Sequence, residues 1–80
     1  VSRDVRATIV RCLQEIAPEG DPSALAPNAD LREGLDLDSM DFLRFVQALH
    51  RELGVTIPER EYRTIATLDG CVRTCERLAG

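Results

Sequence analysis

Lysine and tryptophan are absent from this chain, histidine occurs once, and the aromatic residues are only Phe42, Phe45 and Tyr62. Every basic side chain is an arginine, and 10 of them stand against 14 carboxylates for a net charge of −4. With no basic stripe to neutralise phosphates and few rings to stack on bases, nucleic acid is excluded as a partner. No apolar run approaches the length that spans a bilayer, and the N-terminus lacks the basic-then-apolar plan of a signal peptide, so a cytoplasmic protein without membrane insertion is expected. Cys12, Cys71 and Cys75 are odd in number and without metal-ligand spacing. They read as small core hydrophobes in a reducing compartment, and no metal is expected. Cys71 and Cys75 do share a helix face, but no histidine or further cysteine lies near them in sequence to complete a site.

Eighty residues bound the chain to a single domain, 1–80, a monomer with little room for a buried catalytic pocket. An enzyme is not expected. His50, the single histidine, lies 11 residues along the same helical stretch from Ser39, roughly 16 Å at a rise of 1.5 Å per residue, far outside hydrogen-bond reach. There is no Gly-x-Ser-x-Gly elbow either.

What the chain does contain is helical periodicity. Val5, Ile9, Cys12, Leu13 and Ile16 recur at helical spacing and predict a first amphipathic helix from Ser2 to Ala17, ended by Pro18 and Gly20. From Pro18 to Leu37, three prolines and two glycines predict a long loop, with Leu25, Leu31, Leu35 and Leu37 as anchors into a core. A second helix, Met40 to Leu53, turns Phe42, Val46, Leu49 and Leu53 to one face, broadened by Leu43, Phe45 and Ala48, and Gly54 stops it. Val55 to Ile57 is then briefly extended. Pro58 opens a short helical turn through Glu59 to Arg63, and Thr67 caps a last helix built on Leu68, Cys71, Val72, Cys75 and Leu78. The fold class is all-α: a small four-helix bundle of three main helices and one short one, with no strand.

Asp38-Ser39-Met40 is the segment that carries chemistry. Asp38 is an N-cap candidate and Asp41 can face the free N–H groups of the first turn, so Ser39 opens the second helix at the positive end of its dipole. A tethered anion such as a phosphodiester is electrostatically favoured there. The bland reading, an ordinary helix-start serine, has to be weighed against the setting of this one. Phe42, Phe45 and Tyr62 read by default as core rather than as the lining of a channel.

A helix, a proline-bearing loop, Leu37-Asp38-Ser39-Met40 opening a second helix, an Ile57-Pro58-x-x-Glu61 segment and a closing amphipathic helix together resemble acyl carrier proteins over nearly the whole chain. The resemblance implies that Ser39, with Asp38 beside it in the motif, accepts 4′-phosphopantetheine from coenzyme A through a separate phosphopantetheinyl transferase. It also implies that the arm holds acyl or aminoacyl groups as thioesters for loading ligases and synthases. The helix opened by such a serine is the docking surface in carriers of this kind, which implies partner-binding roles for Asp36, Met40, Asp41, Leu43, Arg44 and Gln47.

Two departures stand out. The family usually has a glycine two residues before the Asp-Ser pair, where this chain has Asp36. Its fatty-acid carriers have a strongly acidic second helix, whereas Met40 to Leu53 balances Asp41 and Glu52 against Arg44 and Arg51. The acidity lies earlier: Asp30, Glu33, Asp36, Asp38 and Asp41 against Arg32 give the 30–41 window a net −4. Beside fatty acid biosynthesis, this favours a specialised pathway, polyketide or nonribosomal peptide biosynthesis among them, with charge setting partner choice. The alternative is a non-covalent helical interaction module that offers the Met40 to Leu53 face to a partner helix.

Overall fold

The structure, a computed structural model, describes residues 4–79. Helix α1 runs Val5–Ile16 and begins where Asp4 accepts a hydrogen bond from the Ala7 N–H at 3.0 Å. Asp4 is thus the cap of this helix, and the expected start at Ser2 lies outside the described residues. Val5, Thr8, Ile9, Cys12 and Leu13 form its buried stripe. The buried Thr8 hydroxyl is satisfied by donating to the Asp4 carbonyl at 3.0 Å.

The expected loop from Pro18 to Leu37 is not featureless. It holds a 3-10 turn at Pro22–Ala24 and a short helix α2, Leu31–Gly34, whose cap Asp30 accepts from the N–H groups of Arg32 and Glu33 at 2.8 and 3.1 Å. The short α-helix of the bundle therefore lies before the second main helix. The segment after Pro58, expected to supply it, makes only a 3-10 turn at Glu59–Glu61, followed by a second at Thr64–Ala66. The leucine anchors hold: Leu31, Leu35 and Leu37 are buried and Leu25 packs against the core from its edge.

Helix α3, Ser39–Leu53, follows, and Gly54 ends it in the left-handed conformation (φ 70°) with its N–H donating to the His50 carbonyl. Helix α4, Leu68–Ala79, starts where Thr67 Oγ1 accepts from the Gly70 N–H at 3.1 Å. At Gly70 the backbones crowd, since a Cβ there would lie 2.0 Å from the Thr64 carbonyl oxygen. Two backbone ties bind the long segment to this end: Asp30 bridges Thr67, and the Asp69 N–H donates to the Pro27 carbonyl at 2.8 Å.

Helix α1 packs against both α3 and α4. Between them lie Ile9, Leu13, Phe45, Leu49, Ile65, Leu68, Cys71 and Cys75, all essentially sealed from solvent. Cys12 is buried beside them, and all three cysteines are free thiols. Burial pushes the Cys12 thiol above its ordinary pKa, helped by the nearby carboxylates of Glu52 and Glu15. Cys71 is raised by its hydrogen bond with Cys75 and then by burial.

Two residues assigned to apolar faces turn outward instead, Leu43 at 42% exposure and Leu78 at 37%. The α3 arc of apolar residues is wider than the strip its neighbours cover, so Phe45 takes the inner position and Leu43 the rim. Leu78 stands in the last turn of α4, where the core reaches only part of it.

Candidate functional site

The site is assembled at the junction of α2 and α3. Asp38 Oδ1 accepts from the Asp41 N–H at 2.8 Å, and the Asp41 carboxylate accepts from the Asp38 N–H at 3.4 Å. This reciprocal capping box fixes the first turn of α3 and is worth about 0.5–2 kcal/mol on its cap side alone. With both carboxylates engaged in capping, Ser39 is left exposed at the first helical position. It takes no part in the capping, and its hydroxyl is left to other partners.

Asp36 has φ 56°, the one non-glycine residue in the left-handed region among the described residues. Aspartate tolerates that conformation better than most side chains, at some cost relative to glycine. The position where the resembling family carries glycine is therefore one where the chain needs a left-handed turn to pass from α2 into α3. Here an aspartate makes that turn and keeps its charge beside the serine.

Arg32, in sequence only one charge of the acidic window, is brought to the serine by the fold. Its Nη2 donates to Ser39 Oγ at 3.4 Å, and its guanidinium lies 5.9 Å from the centroid of the Phe42 ring. Phe42 is itself held by Phe45 at 6.3 Å and by an edge-on contact with Tyr62 at 5.7 Å. The signal that could have found Arg32 is a lone cation within an acidic stretch. Its placement depends on α2, a helix too short to show periodicity.

The residues assigned to partner binding spread from this junction along the outer side of α3. Met40 is 61% exposed and, with Leu43, forms the apolar part of the surface. Gln47 is exposed, and Arg44 makes a loose ion pair with Asp41 at 3.7 Å. An open groove of about 320 Å³ lies between the end of α1 and this junction, lined by Ile16, Pro18, Leu35, Asp36, Leu37 and Asp41 among others. His50 stays apart, its Nδ1 3.2 Å from the Val55 carbonyl. No group of metal-binding side chains exists among the described residues.

Comparison with known proteins bears on this geometry. The family model described as the phosphopantetheine attachment site matches residues 7–74. The acyl carrier protein of Rubrobacter xylanophilus is 33% identical over 70 residues, covering 84% of this chain and 86% of that protein. The chain belongs to the acyl carrier protein family. Mitochondrial acyl carrier protein 2 of Arabidopsis thaliana is 36% identical over 62 residues, 78% of this chain and 46% of that one. The acyl carrier protein of Thermosynechococcus vestitus is 38% identical over 48 residues, 60% of this chain and 59% of that one.

An acyl carrier protein bears a covalently attached 4′-phosphopantetheine and works with synthases and a phosphopantetheinyl transferase without catalysing a reaction itself. The α2–α3 junction fits such a group. It offers an exposed hydroxyl, a helix N-terminus and one exposed guanidinium at the hydroxyl oxygen. No helix among the described residues is long and apolar enough to cross a membrane.

Proposed function

We propose that Ser39 is the attachment residue and that residues 1–80 act as a single, monomeric carrier domain in the cytoplasm, serving a dedicated acyl, polyketide or aminoacyl pathway. The observation that carries this is the exposed Ser39 hydroxyl, which opens a capped helix without taking part in its capping. In loading, Ser39 Oγ attacks the pantetheine-side phosphorus of the coenzyme A pyrophosphate. The Oγ–P bond forms, the pyrophosphate P–O bond breaks, 3′,5′-ADP leaves, and the hydroxyl proton passes to a base of the transferase. The arm, once bound, supplies a terminal thiol for thioester formation.

Every other task falls to the chain. Asp38 and Asp41 hold the first turn so that Ser39 projects from a rigid element, and Asp36 orients the approach to it. Asp36, Met40, Asp41, Leu43, Arg44 and Gln47 form the surface on which the transferase and the acyl- or aminoacyl-loading ligases or synthases dock. An apolar pair within a charged rim suits transient docking, in which charge sets on-rate and partner choice. The dedicated pathway is supported by the charge balance along α3 and by the Arg44–Asp41 pair, which mutes the negative charge just past Ser39.

Intact-protein mass spectrometry after incubation with coenzyme A and a broad-specificity phosphopantetheinyl transferase tests the attachment. The wild type gains one phosphopantetheine and Ser39→Ala gains none. A gain in both proteins would move the site elsewhere. For docking, Arg44→Glu changes the rate of loading by the cognate ligase or synthase at low salt, and an unchanged rate would remove Arg44 from the recognition surface.

A further inference from the structure

Arg32 enters none of the ion pairs among the described residues, although Asp30, Glu33 and Asp36 line the same shallow depression with it. Its guanidinium instead spends one donor on Ser39 Oγ at 3.4 Å and sits toward the Phe42 ring. An arginine has five N–H donors in a planar fork suited to phosphate oxygens. Among the described residues the rest of that fork has no hydrogen-bond partner, and Nη2 is aimed at the single oxygen that would become a phosphate ester. Position is supplied from three directions: Asp30 caps α2 and fixes the backbone N–H of Arg32, the Arg32 carbonyl accepts from the Leu37 N–H at 2.8 Å, and Phe42 lies under the guanidinium.

We propose that Arg32 is a positioning residue for the arm: its guanidinium binds a non-bridging oxygen of the phosphodiester on Ser39 and sets the direction in which the arm leaves the protein. This rests on the reading of Ser39 as the attachment residue. The need for it follows from charge. A phosphodiester added to the 30–41 window would stand among five carboxylates, and Arg32 is the only cation in that window. The guanidinium neutralises the new anion where repulsion would otherwise push the arm outward at random. Its contact over Phe42, and through Phe42 with Phe45 and Tyr62, ties the root of the arm to the core.

The test uses four versions of the chain, each loaded with coenzyme A and the broad-specificity transferase and purified as the loaded form: wild type, Arg32→Gln, Arg32→Lys and Arg6→Gln. Arg6 is exposed on the first turns of α1 and controls for the loss of one positive charge. Mass spectra establish loading, circular dichroism establishes folding, and the phosphodiester is read directly by phosphorus NMR. Wild type and Arg6→Gln are expected to share a broadened resonance displaced from that of the same phosphodiester in the urea-unfolded loaded protein. Arg32→Gln gives a resonance close to the unfolded position, and Arg32→Lys, with charge but no planar fork, falls between. Raising the salt concentration should narrow the gap between wild type and Arg32→Gln.

Superimposable resonances in all four loaded proteins would overturn the role of Arg32 and leave Ser39 as the attachment residue untouched. A folded wild type that gains no mass would overturn both readings. A folded Arg32→Gln that resists loading while Arg6→Gln loads fully would also overturn the proposal as stated, since Arg32 would then act on the transferase rather than on the attached arm.

Discussion

Helices α3 and α4 begin with the same local device and end up in opposite surroundings. Each is opened by a short oxygen-bearing side chain that accepts from a backbone N–H three residues on, Asp38 from Asp41 and Thr67 from Gly70. At α3 the next residue, Ser39, faces solvent with a guanidinium at its oxygen. At α4 the hydroxyl is the cap itself, the neighbouring backbone is tied to Pro27 and Asp30, and Gly70 lies against the Thr64 carbonyl. Capping chemistry is therefore common to both, and accessibility separates them. A carrier needs the first kind of helix start, and the second kind holds the bundle closed.

The largest expected difference is all-or-none. Ser39→Ala loses phosphopantetheine loading completely while keeping its stability, because Ser39 takes no part in the cap; Thr67→Ala loads fully but loses about 1 kcal/mol of stability. Mass spectrometry and urea unfolding of the two variants side by side would break the comparison if their effects were exchanged. Next in size is thiol reactivity. At pH 8 a small alkylating reagent should leave the native unloaded protein unmodified: burial raises the Cys12 pKa, the hydrogen bond between Cys71 and Cys75 raises Cys71 and lowers Cys75, and all three sulfurs are sealed from solvent. The loaded protein should take up one alkyl group, on the arm. Cys12, whose folded pKa is raised by burial, stabilises the fold below the ordinary thiol pKa, and that contribution is expected to be lost as pH rises past about 9.

Gly70→Ala comes third. Its methyl would meet the Thr64 carbonyl at 2.0 Å, and relief requires backbone movement, so a loss of about 3 kcal/mol in denaturant unfolding is expected, with loading intact below the transition. Asp38→Ala removes the α3 cap and should cost roughly 1 kcal/mol, with slower loading because the turn that presents Ser39 frays. The smallest effect is Asp36→Gly. Relief of the left-handed strain is offset by the greater freedom of glycine in the unfolded chain, leaving a change in stability within about 1 kcal/mol of wild type. A large loss there would mean that the Asp36 side chain, not its backbone, holds the α2–α3 junction.

The two helix starts also differ in how far they could be read in advance. Asp38 with Asp41, Gly54 as a left-handed stop and Thr67 as a cap were legible because capping is a matter of residues three or four apart in the chain. The buried cysteines were legible from helical spacing. Helix α2 was not, because its four residues make barely one turn, too few for periodicity to register, and the prolines around it point to a loop. With α2 unread, the place of Arg32 at Ser39 was out of reach. Leu43 was legible as a surface residue only through the family resemblance, since apolar spacing alone assigned it to the core edge.

By itself, then, the sequence determined the helical class, the caps, the stops and the serine that opens α3, since each depends on neighbours along the chain whose distances are set by helix geometry. Only the tertiary structure decided which capped helix start stays open, which apolar residues turn outward and which cation reaches the serine. Those depend on contacts between segments far apart in sequence, where packing of α1 against α3 and α4 and the fold of residues 18–38 determine what is covered and what faces solvent.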